Sequence, residues 1–477
     1  MAPRDLRAFI QLLEQRGQLS RVRAPVSAEL EITELADRMV KCGGPALLFE
    51  NVSGHRMPVL INAFGSAERM SWALGVSSLD QLGDRVRKLM KLAPPSGWID
   101  KLKLLGDLRE VAAAAPKMVD RGACHEVVVE RPSLRDLPVL TCWPEDGGPF
   151  ITFGLVITRH PRTGVRNVGM YRMQVYDETT AGLHWHKHKG GAEHYGEAGP
   201  ARMEVAVVIG PDPATTNAGS APLPPILDEL LLAGFLRRKP LELVRCKTVD
   251  LEVPANSEIV LEGYCDPGEL RLEGPFGDHT GYYSLADMYP VFHLTAITHR
   301  RHPIYHTTIV GRPPMEDYFL GKATERLFLP LMQAVAPEIV DVNMPAEGVF
   351  HNLVIVSIRK RYPAQPHKVM YGLWGMGQMM FARNLVSVDE DVDVQNLSEV
   401  AWRVTNNVDA KRDLVVVEGP VDVLDHAAPR PLVGGKLGID ATRKTEADGY
   451  TRQWPPDIVM SPEIKALVDR RWGEYGL

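Results

Sequence analysis

This sequence is best interpreted outward from one stretch, LEGPFGDHTGYY at residues 272–283. Its three glycines permit backbone conformations and close contacts that other residues resist, and Pro275 fixes one dihedral angle, so we predict a shaped loop. The loop carries two carboxylates, Glu273 and Asp278, with His279 directly after the second. Paired acids in an apolar pocket shift each other's pKa values apart, which provides a proton donor beside a permanent anion. The alternative is a surface turn whose acids are solvated.

Size and composition indicate a soluble protein of more than one domain. The chain has 477 residues, so we expect two or three domains. Its net charge of -6 gives no reason to expect nucleic-acid binding, which needs a basic surface. Five scattered cysteines without a Cys-x-x-Cys pair favour reduced thiols in the cytoplasm. The amino terminus lacks an apolar stretch of signal-peptide type, and the most apolar run, residues 226–236, is too short to span a bilayer.

The first region, residues 1–120, predicts a small α/β unit. Apolar residues recur at helical spacing from Leu6 to Leu13, and Gly17 is a natural end for that helix. The other predicted elements are a helix at 29–40, strands at 46–49 and 59–61, and helical sequence to about residue 118.

The central region, residues 121–312, consists mainly of short apolar runs separated by turn residues. The predicted strands are 125–130, 153–158, 169–175, 205–209, 258–261 and 291–298. One helix is predicted, at 226–236. This pattern favours a barrel or a sandwich.

The last region, residues 313–477, alternates helices with strands and predicts a second α/β domain. The predicted helices are 324–335, 369–381 and 398–405, and the predicted strands are 353–358, 384–388 and 413–417. The run at 353–358 is continuously apolar, as is typical of a buried parallel strand. The sequence after residue 420 is rich in Gly and Pro, and we predict that 434–438 is a loop bordering a cleft between domains.

Two further segments carry candidate ligands. NVGMYR at residues 167–172 enters a strand in which Asn167 and Arg172 would face opposite sides, unless Gly169 marks a bulge that redirects them. The alternative for Asn167 is a turn residue. HWHKHKGG at residues 184–191 places three histidines on one face of an extended chain, which favours either a metal site or a phosphate-binding face.

Glu229 lies beside Asp228 in the apolar run of the central region. An acid on such a helix usually lies at its solvated edge, and the alternative is a metal ligand. Asn, His and Glu together would suit magnesium or manganese rather than zinc. The chain has no His-Glu-x-x-His zinc motif, no P-loop and no Gly-x-Ser-x-Gly elbow.

Taken together, these motifs resemble the UbiD family of non-oxidative decarboxylases, which use prenylated FMN. The matching segments, in the family's order, are TCWPED (141–146), NVGMYR (167–172), HKGG (188–191), LEVPA (251–255), the loop at 273–283 and GIDAT (438–442). The HWHKHKGG form and RPPMED (312–317) are most similar to bacterial members named for ubiquinone or menaquinone biosynthesis. The resemblance implies an α+β or α/β multidomain fold, with a central split β-barrel that binds flavin and a C-terminal α/β domain with an oligomerisation tail.

The resemblance also implies roles for individual residues. Asn167, His188 and Glu229 match the ligands of a divalent cation, usually manganese, that ties the cofactor phosphate to the protein, and potassium is a further candidate ion. The residues that match cofactor-contacting segments are Met170, Tyr171, Arg172, His184, Trp185, His186, Lys189 and Gly190. Arg172, Glu273 and Asp278 match the catalytic arginine and two acids, although many relatives carry Glu at the position of Asp278.

These roles imply a chemistry that elementary principles support. Loss of carbon dioxide from an arenecarboxylate leaves an anion in the ring plane, so an electron-accepting cofactor must provide the sink. Arg172 would hold Glu273 and the substrate carboxylate through charge-assisted hydrogen bonds. Asp278, with a pKa raised by burial, would then protonate the vacated carbon, while Glu273 stays ionised.

We therefore expect a decarboxylase of a hydroxyarene carboxylic acid in quinone synthesis, acting on polyprenylated 4-hydroxybenzoate or a dihydroxynaphthoate. The alternatives are a UbiD-like decarboxylase of another aromatic or α,β-unsaturated acid, a metal-dependent hydrolase built on the histidine segment, and a non-catalytic flavin-binding protein. The expected partners are a flavin prenyltransferase that supplies the cofactor and further copies of the chain, in a dimer or hexamer. The expected location is the cytoplasm, with a polyprenylated substrate bringing the protein to the inner-membrane surface.

Overall fold

A computed structural model describes residues 1–90, 114–185, 190–223 and 227–476. Within these ranges the strands form five sheets, of which the largest has nine strands and occupies the middle of the chain. The five cysteines, all in the described ranges, are free thiols. Among the described residues there is no helix with the length and apolar character needed to cross a membrane.

The amino-terminal unit has the predicted α/β character. Its helices are Leu6–Gln15, Glu31–Lys41, Ala67–Ala73 and Asp80–Met90, and its strands are β1 (Leu19–Val22), β2 (Ala46–Phe49) and β3 (Val59–Ile61). The four apolar residues that predicted the first helix are all buried, and Gly17 follows it with a φ of +65°. The helical sequence predicted to about residue 118 lies partly outside the described residues. Lys117–Met118 forms the short strand β4 instead.

The middle of the chain is predominantly β-structure, as predicted. Its strands are β5 (Val127–Val128), β6 (Phe150–Ile151), β7 (Leu155–Arg159), β8 (Arg166–Met170), β9 (Met173–Val175), β10 (Thr180–Leu183), β11 (Met203–Ile209), β12 (Glu242–Arg245), β13 (Glu252–Pro254), β14 (Ile259–Glu273), β15 (Phe276–Gly277), β16 (Tyr283–Ser284), β17 (Asp287–His299) and β18 (Tyr305–His306). The helices described here are Gly190–Glu197, Pro213–Ser220 and Glu229–Arg237. Strand β18 pairs with β3 and so extends the amino-terminal sheet.

The large sheet is antiparallel and must curl. Its strand order is β6-β9-β10-β17-β14-β11-β7-β8, with β5 paired to β17. Strands β8 and β9 therefore lie near opposite ends of the sheet, although only Tyr171 and Arg172 separate them in sequence. Three residue steps span at most about 11 Å, so the two ends of the sheet must approach each other at this point. The sheet is a half-barrel, and Tyr171–Arg172 crosses its open seam.

The carboxy-terminal unit has a five-stranded mixed sheet. Its helices are Glu316–Val335, Gln365–Trp374, Leu397–Asn407 and Pro462–Arg471, and its strands are β19 (Ile339–Asn343), β20 (Leu353–Ile358), β21 (Asn384–Asp389), β22 (Leu414–Pro420) and β23 (Val433–Asp440). The order is β19-β20-β21-β23-β22, with parallel pairing from β20 through β23. The apolar run 353–358 is thus a buried strand, as predicted.

The prediction that residues 434–438 form a loop is wrong, because these residues belong to β23. This strand lies between β21 and β22, which supply hydrogen-bond partners on both sides. Gly438 leaves room for the Met370 and Trp374 side chains, since a Cβ there would lie 2.5 Å from the Met370 sulfur. Glycine is rare inside strands, and here its use is explained by close packing of a helix on the sheet.

Candidate active site

Arg172 lies in the seam of the half-barrel. Strand β8 is regular through Gly169, which pairs with Val156, so the bulge predicted at Gly169 is wrong. The strand ends at Met170, and the chain turns over the next two residues before β9. The Tyr171 ring folds back over Gly169, and a Cβ added to Gly169 would lie 2.3 Å from the ring. This turn points the Arg172 side chain into the interior, where its guanidinium lies 4.6 Å from the centre of the Phe276 ring.

The predicted shaped loop is a tight hairpin at the end of β14. Strands β15 and β16 pair with each other, and the Asp278 N–H donates to the Tyr282 carbonyl at 3.1 Å. Gly274 and Gly281 have φ angles of +94° and +80°, as expected of glycines in such a turn. Glu273 therefore ends a long strand, and Asp278 and His279 sit in the hairpin turn.

Two residues that we did not single out from the sequence hold this hairpin in place. Asp146 accepts the Gly277 N–H at 2.8 Å and the Trp143 N–H at 2.9 Å. The Gln174 side chain accepts the Gly274 N–H at 2.8 Å. Asp146 belongs to the TCWPED motif, which was a usable signal, whereas Gln174 belongs to no motif that we recognised in the sequence.

Arg172, Glu273 and Asp278 meet in one buried cluster. Arg172 Nε and Nη2 donate to the two Glu273 carboxylate oxygens at 2.7 and 3.1 Å, which is a bidentate ion pair. Arg172 Nη1 donates to Asp278 Oδ2, and Nη2 also donates to Ser284 Oγ at 3.0 Å. The two acids thus share one arginine, and each lies at a different edge of its guanidinium.

His184 adds a further partner to Glu273. Its Nδ1 lies 3.1 Å from Glu273 Oε2, and its ring stacks on Tyr289 with a centroid distance of 4.2 Å. Burial alone would raise the pKa of Glu273, but the hydrogen bonds from His184 and Arg172 and the Arg172 charge lower it. This direction agrees with the expectation that Glu273 stays ionised.

The expected raised pKa of Asp278 is wrong for this arrangement. Burial alone would raise that pKa, but the hydrogen bond from His279 and the charge of Arg172 lower it well below its ordinary value. His279 Nδ1 lies 2.9 Å from Asp278 Oδ1. Burial would lower the pKa of His279, yet the hydrogen bond and charge of Asp278 raise it. Both directions favour the proton of this pair on His279 rather than on Asp278.

Two of the three expected metal ligands lie close to each other. Glu229 begins the helix Glu229–Arg237, and its Oε2 accepts the N–H of Val168, the neighbour of Asn167, at 3.2 Å. Burial raises the pKa of Glu229 to about 7. A Cβ on Gly190 would lie 2.5 Å from Asn167 Oδ1, so the amide packs against the start of the next helix. His188, the third expected ligand, lies outside the described residues.

The expected cofactor-contacting residues border this same region. Met170 and Tyr171 lie at the seam, and Trp185 is buried against Tyr195. The Trp185 Nε1–H and the Asn167 Nδ2 group are buried without a hydrogen-bond partner among the described residues. Such groups usually need a partner, so they mark a place where a polar ligand fits. His186 and Lys189 lie outside the described residues.

Family models match the chain over three ranges. Residues 10–87, 117–313 and 318–441 match the N-terminal, Rift-related and C-terminal domains of 3-octaprenyl-4-hydroxybenzoate carboxy-lyase (UbiD). An uncharacterised protein of Archaeoglobus fulgidus is 53% identical over 478 residues and covers 99% of each chain.

Solved structures extend the likeness to the whole chain. The closed form of vanillic acid decarboxylase from Sedimentibacter hydroxybenzoicus has a TM-score of 0.87 and 27% identity, covering 100% of this chain and 99% of its own. An evolved dimeric form of the UbiD-class enzyme HmfF from Pelotomaculum thermopropionicum, in complex with prFMN, has a TM-score of 0.80 and 29% identity. The likeness covers 97% of this chain and 98% of the HmfF chain. These likenesses confirm the multidomain α/β fold around a curled half-barrel. They favour a decarboxylase over the hydrolase and the non-catalytic alternatives. The chain belongs to the UbiD family of carboxy-lyases, and it is a decarboxylase.

Proposed function

We propose that this chain decarboxylates a hydroxyarene carboxylic acid with prenylated FMN, and that the product enters quinone synthesis. One observation carries the proposal: a buried arginine in the seam of the half-barrel is shared by two carboxylates with different surroundings. An arginine so placed can take a substrate carboxylate in exchange for one acid while the other keeps it oriented.

The described residues fit the cofactor. Prenylated FMN, when bound, supplies the electron sink that side chains cannot provide. The buried Trp185 Nε1–H and the Asn167 Nδ2 group, which have no partner within the described parts of the chain, offer polar contacts to it. Gly191 leaves space beside the Trp185 indole, because a Cβ there would lie 2.6 Å from Nε1. The prFMN complex of the related HmfF supports the same cofactor here.

A divalent cation fits beside the cofactor. Asn167 and Glu229 provide an amide and a carboxylate, which are hard oxygen donors, and we propose His188 as the third ligand. Asp228 lies next to Glu229 and is paired with Arg166, so a second negative charge is close by. We propose manganese as the ion, with potassium as a second one.

Glu273 and Asp278 divide the work in this proposal. Glu273 holds Arg172 through two hydrogen bonds and is itself held by His184, so its role is to orient the guanidinium. Asp278 makes one contact to Arg172 and lies in a hairpin turn, so it can part from the arginine when a substrate carboxylate arrives. It would then hold the proton that replaces carbon dioxide on the ring.

We infer a division into domains at residues 1–120, 121–312 and 313–477, with the last closing over the active site. The hairpin of the middle unit supports this, because His279 lies 5.7 Å from the Phe350 ring and Tyr282 lies 4.1 Å from the His426 ring, as centroid distances. Closure excludes water from the reacting centre.

A homo-oligomer built through the carboxy-terminal tail is also part of the proposal. The helix Pro462–Arg471 buries none of its residues, and Ile458, Val459 and Trp472 near it are exposed. Contiguous exposed apolar side chains are typical of an interaction surface. A cytoplasmic location and a flavin prenyltransferase as supplier of the cofactor follow from the chemistry proposed, and a polyprenylated substrate would add contact with the inner membrane.

Reconstitution tests the function. The purified protein, loaded with prenylated FMN and Mn²⁺, would be incubated with benzoate and naphthoate acids, with and without a prenyl tail, and with an acrylic acid. Release of carbon dioxide from a hydroxyarene acid is the expected result. Release from the acrylic acid alone would contradict the substrate class, and release from an untailed hydroxybenzoate alone would contradict the role in quinone synthesis.

A further inference from the structure

We propose that His279 is a proton-positioning residue that supplies Asp278 with the proton delivered to the product. This inference rests on the proposed function and deepens it, because it names the source of the proton. His279 acts through Asp278 and does not itself meet the substrate.

The contacts of Asp278 show why a separate source is needed. Oδ1 accepts two donors from His279, the backbone N–H at 2.8 Å and the ring Nδ1 at 2.9 Å. Oδ2 accepts from Arg172. A carboxylate surrounded by three N–H donors is stabilised as the anion and carries no proton to give. Among the side chains that donate to Asp278, the imidazole of His279 is the one whose ordinary pKa lies near neutrality, so the proton on its Nδ1 is the one that can be transferred.

The surroundings of His279 favour its charged form. Four titratable groups face it from four segments: Asp278 in its own hairpin, Asp317 in the first turn of the helix Glu316–Val335, Asp422 after β22, and His351 before β20. Three are acids. Burial raises the pKa of Asp317 to about 6, and the charge of His279 opposes this rise.

His279 also bridges Asp278 to a cavity between the middle and carboxy-terminal units. The cavity is lined by His279, Gly311, Met315, Asp317, Val349 and Phe350. The His279 side chain is 18% exposed, whereas that of Asp278 is 9% exposed. The imidazole therefore connects a buried carboxylate to a place that water can reach, which is the arrangement of a proton relay.

Substrate binding would trigger the transfer. The charges of Arg172, Glu273 and Asp278 sum to −1, and an arenecarboxylate adds another negative charge. A third anion at Arg172 disfavours the ionised form of Asp278 and weakens its ion pair. The proton on His279 Nδ1 then moves to Asp278 Oδ1, which leaves a neutral imidazole and a neutral carboxylic acid.

The proton is conserved in the remaining steps. Asp278 gives its O–H proton to the carbon that has lost carbon dioxide, and the carboxylate re-forms. The neutral imidazole regains a proton from water before the next turnover. No oxidant or reductant enters.

The first test is the pH profile of product formation in a single turnover of the loaded enzyme. His279→Asn keeps an N–H donor toward Asp278 but cannot relay a proton, so product formation near pH 7 should fall on the order of a hundredfold. In wild type the rate should fall above the pKa of His279, and Asp317→Asn should move this fall to lower pH because a stabilising anion is lost. His293→Asn, which changes a histidine on β17 that pairs with Glu269, is the matched control and should keep the wild-type profile.

The second test needs neither cofactor nor activity. In nitrogen-15 spectra of labelled histidine, the signal missing from His279→Asn identifies His279, which should titrate above about 6.5, the value of free histidine. Asp278→Asn should lower that midpoint. A midpoint below that of free histidine, or a wild-type rate and profile in His279→Asn, would overturn the relay. If wild type forms product from none of the acids, the proposed function fails as well, whereas a failed relay alone leaves wild-type turnover intact.

Discussion

Arg172 Nε and Glu273 Oε1 lie 2.7 Å apart, although 101 positions separate the two residues. The pair joins the seam of the half-barrel to the end of β14, which lies three strands from β9 in the sheet. Its second hydrogen bond, 3.1 Å from Nη2 to Oε2, fixes the plane of the guanidinium. The orientation of the Arg172 guanidinium is therefore set by Glu273.

Glu273→Gln should lower turnover by at least about a hundredfold, because an amide offers Arg172 one neutral acceptor in place of two charged ones. Single-turnover release of carbon dioxide is the measurement. Glu269→Gln changes an acid on the same strand that pairs with His293 at the surface, and it should leave the rate unchanged. Equal rates for Glu273→Gln and wild type would show that Glu273 does not orient Arg172.

Gly277→Ala should displace the hairpin. A Cβ at this position would lie 2.1 Å from Trp143 Cδ1, and Trp143 cannot easily yield because its Nε1–H donates to the Val310 carbonyl at 2.8 Å. We expect turnover to fall by about tenfold or more, since small misplacements of catalytic groups are costly. Gly435→Ala is the control, because a Cβ there meets no atom within 4 Å. Similar kinetics for both variants would contradict a rigid hairpin.

Glu229→Gln should lose the metal. The change keeps the shape of the side chain but removes a negative charge from the ligand set, so manganese content and flavin retention should both fall at least about tenfold. Metal analysis measures the manganese content, and flavin absorbance after gel filtration measures the flavin retained. Glu197→Gln serves as a control for a separate group, in which His160, Glu193 and Glu197 are close enough to hold an ion. Metal loss in the control and retention in Glu229→Gln would place the ion elsewhere.

Glu316→Ala should destabilise the fold rather than the chemistry. The buried carboxylate accepts the backbone N–H groups of Asn62 and Phe64 at 3.1 and 2.7 Å and the Thr308 hydroxyl at 2.8 Å. These hydrogen bonds join the helix Glu316–Val335 to the amino-terminal unit. Three unsatisfied donors should cost about 2–5 kcal/mol of unfolding free energy. Urea denaturation measures the loss. The exposed Glu390→Ala should change the midpoint little, and equal midpoints would refute the structural role.

The sequence predicted the helices and strands that depend on local patterns of apolar residues. Helical spacing from Leu6 to Leu13 and the apolar run 353–358 gave correct elements, because burial of one face or of a whole strand leaves a clear periodicity. Strand β23 was missed since its glycines disfavour a strand locally, and only the sheet pairing on both sides and the packing on Gly438 explain it.

The sequence predicted three residues that meet in the candidate site, whose roles stay predictions, but it did not predict the direction of the Asp278 pKa. Motif resemblance identified Arg172, Glu273 and Asp278, and the structure brings the three together. The lowered pKa of Asp278 depends on the orientation of the His279 ring and on Arg172, 106 positions away. Such contacts are tertiary, and no spacing along the chain encodes them. The supporting roles of Gln174 and Ser284 were missed for the same reason.

The central claim is that Asp278 delivers the proton that replaces carbon dioxide. The most direct test compares wild type with Asp278→Asn, both loaded with prenylated FMN and Mn²⁺, in deuterated water with an accepted hydroxyarene acid. Asp278→Asn keeps the shape and loses the transferable proton, so deuterated product should form about a hundred to ten thousand times more slowly, while flavin and metal content stay at the wild-type level. Deuterated product formed by Asp278→Asn at the wild-type rate would contradict the account.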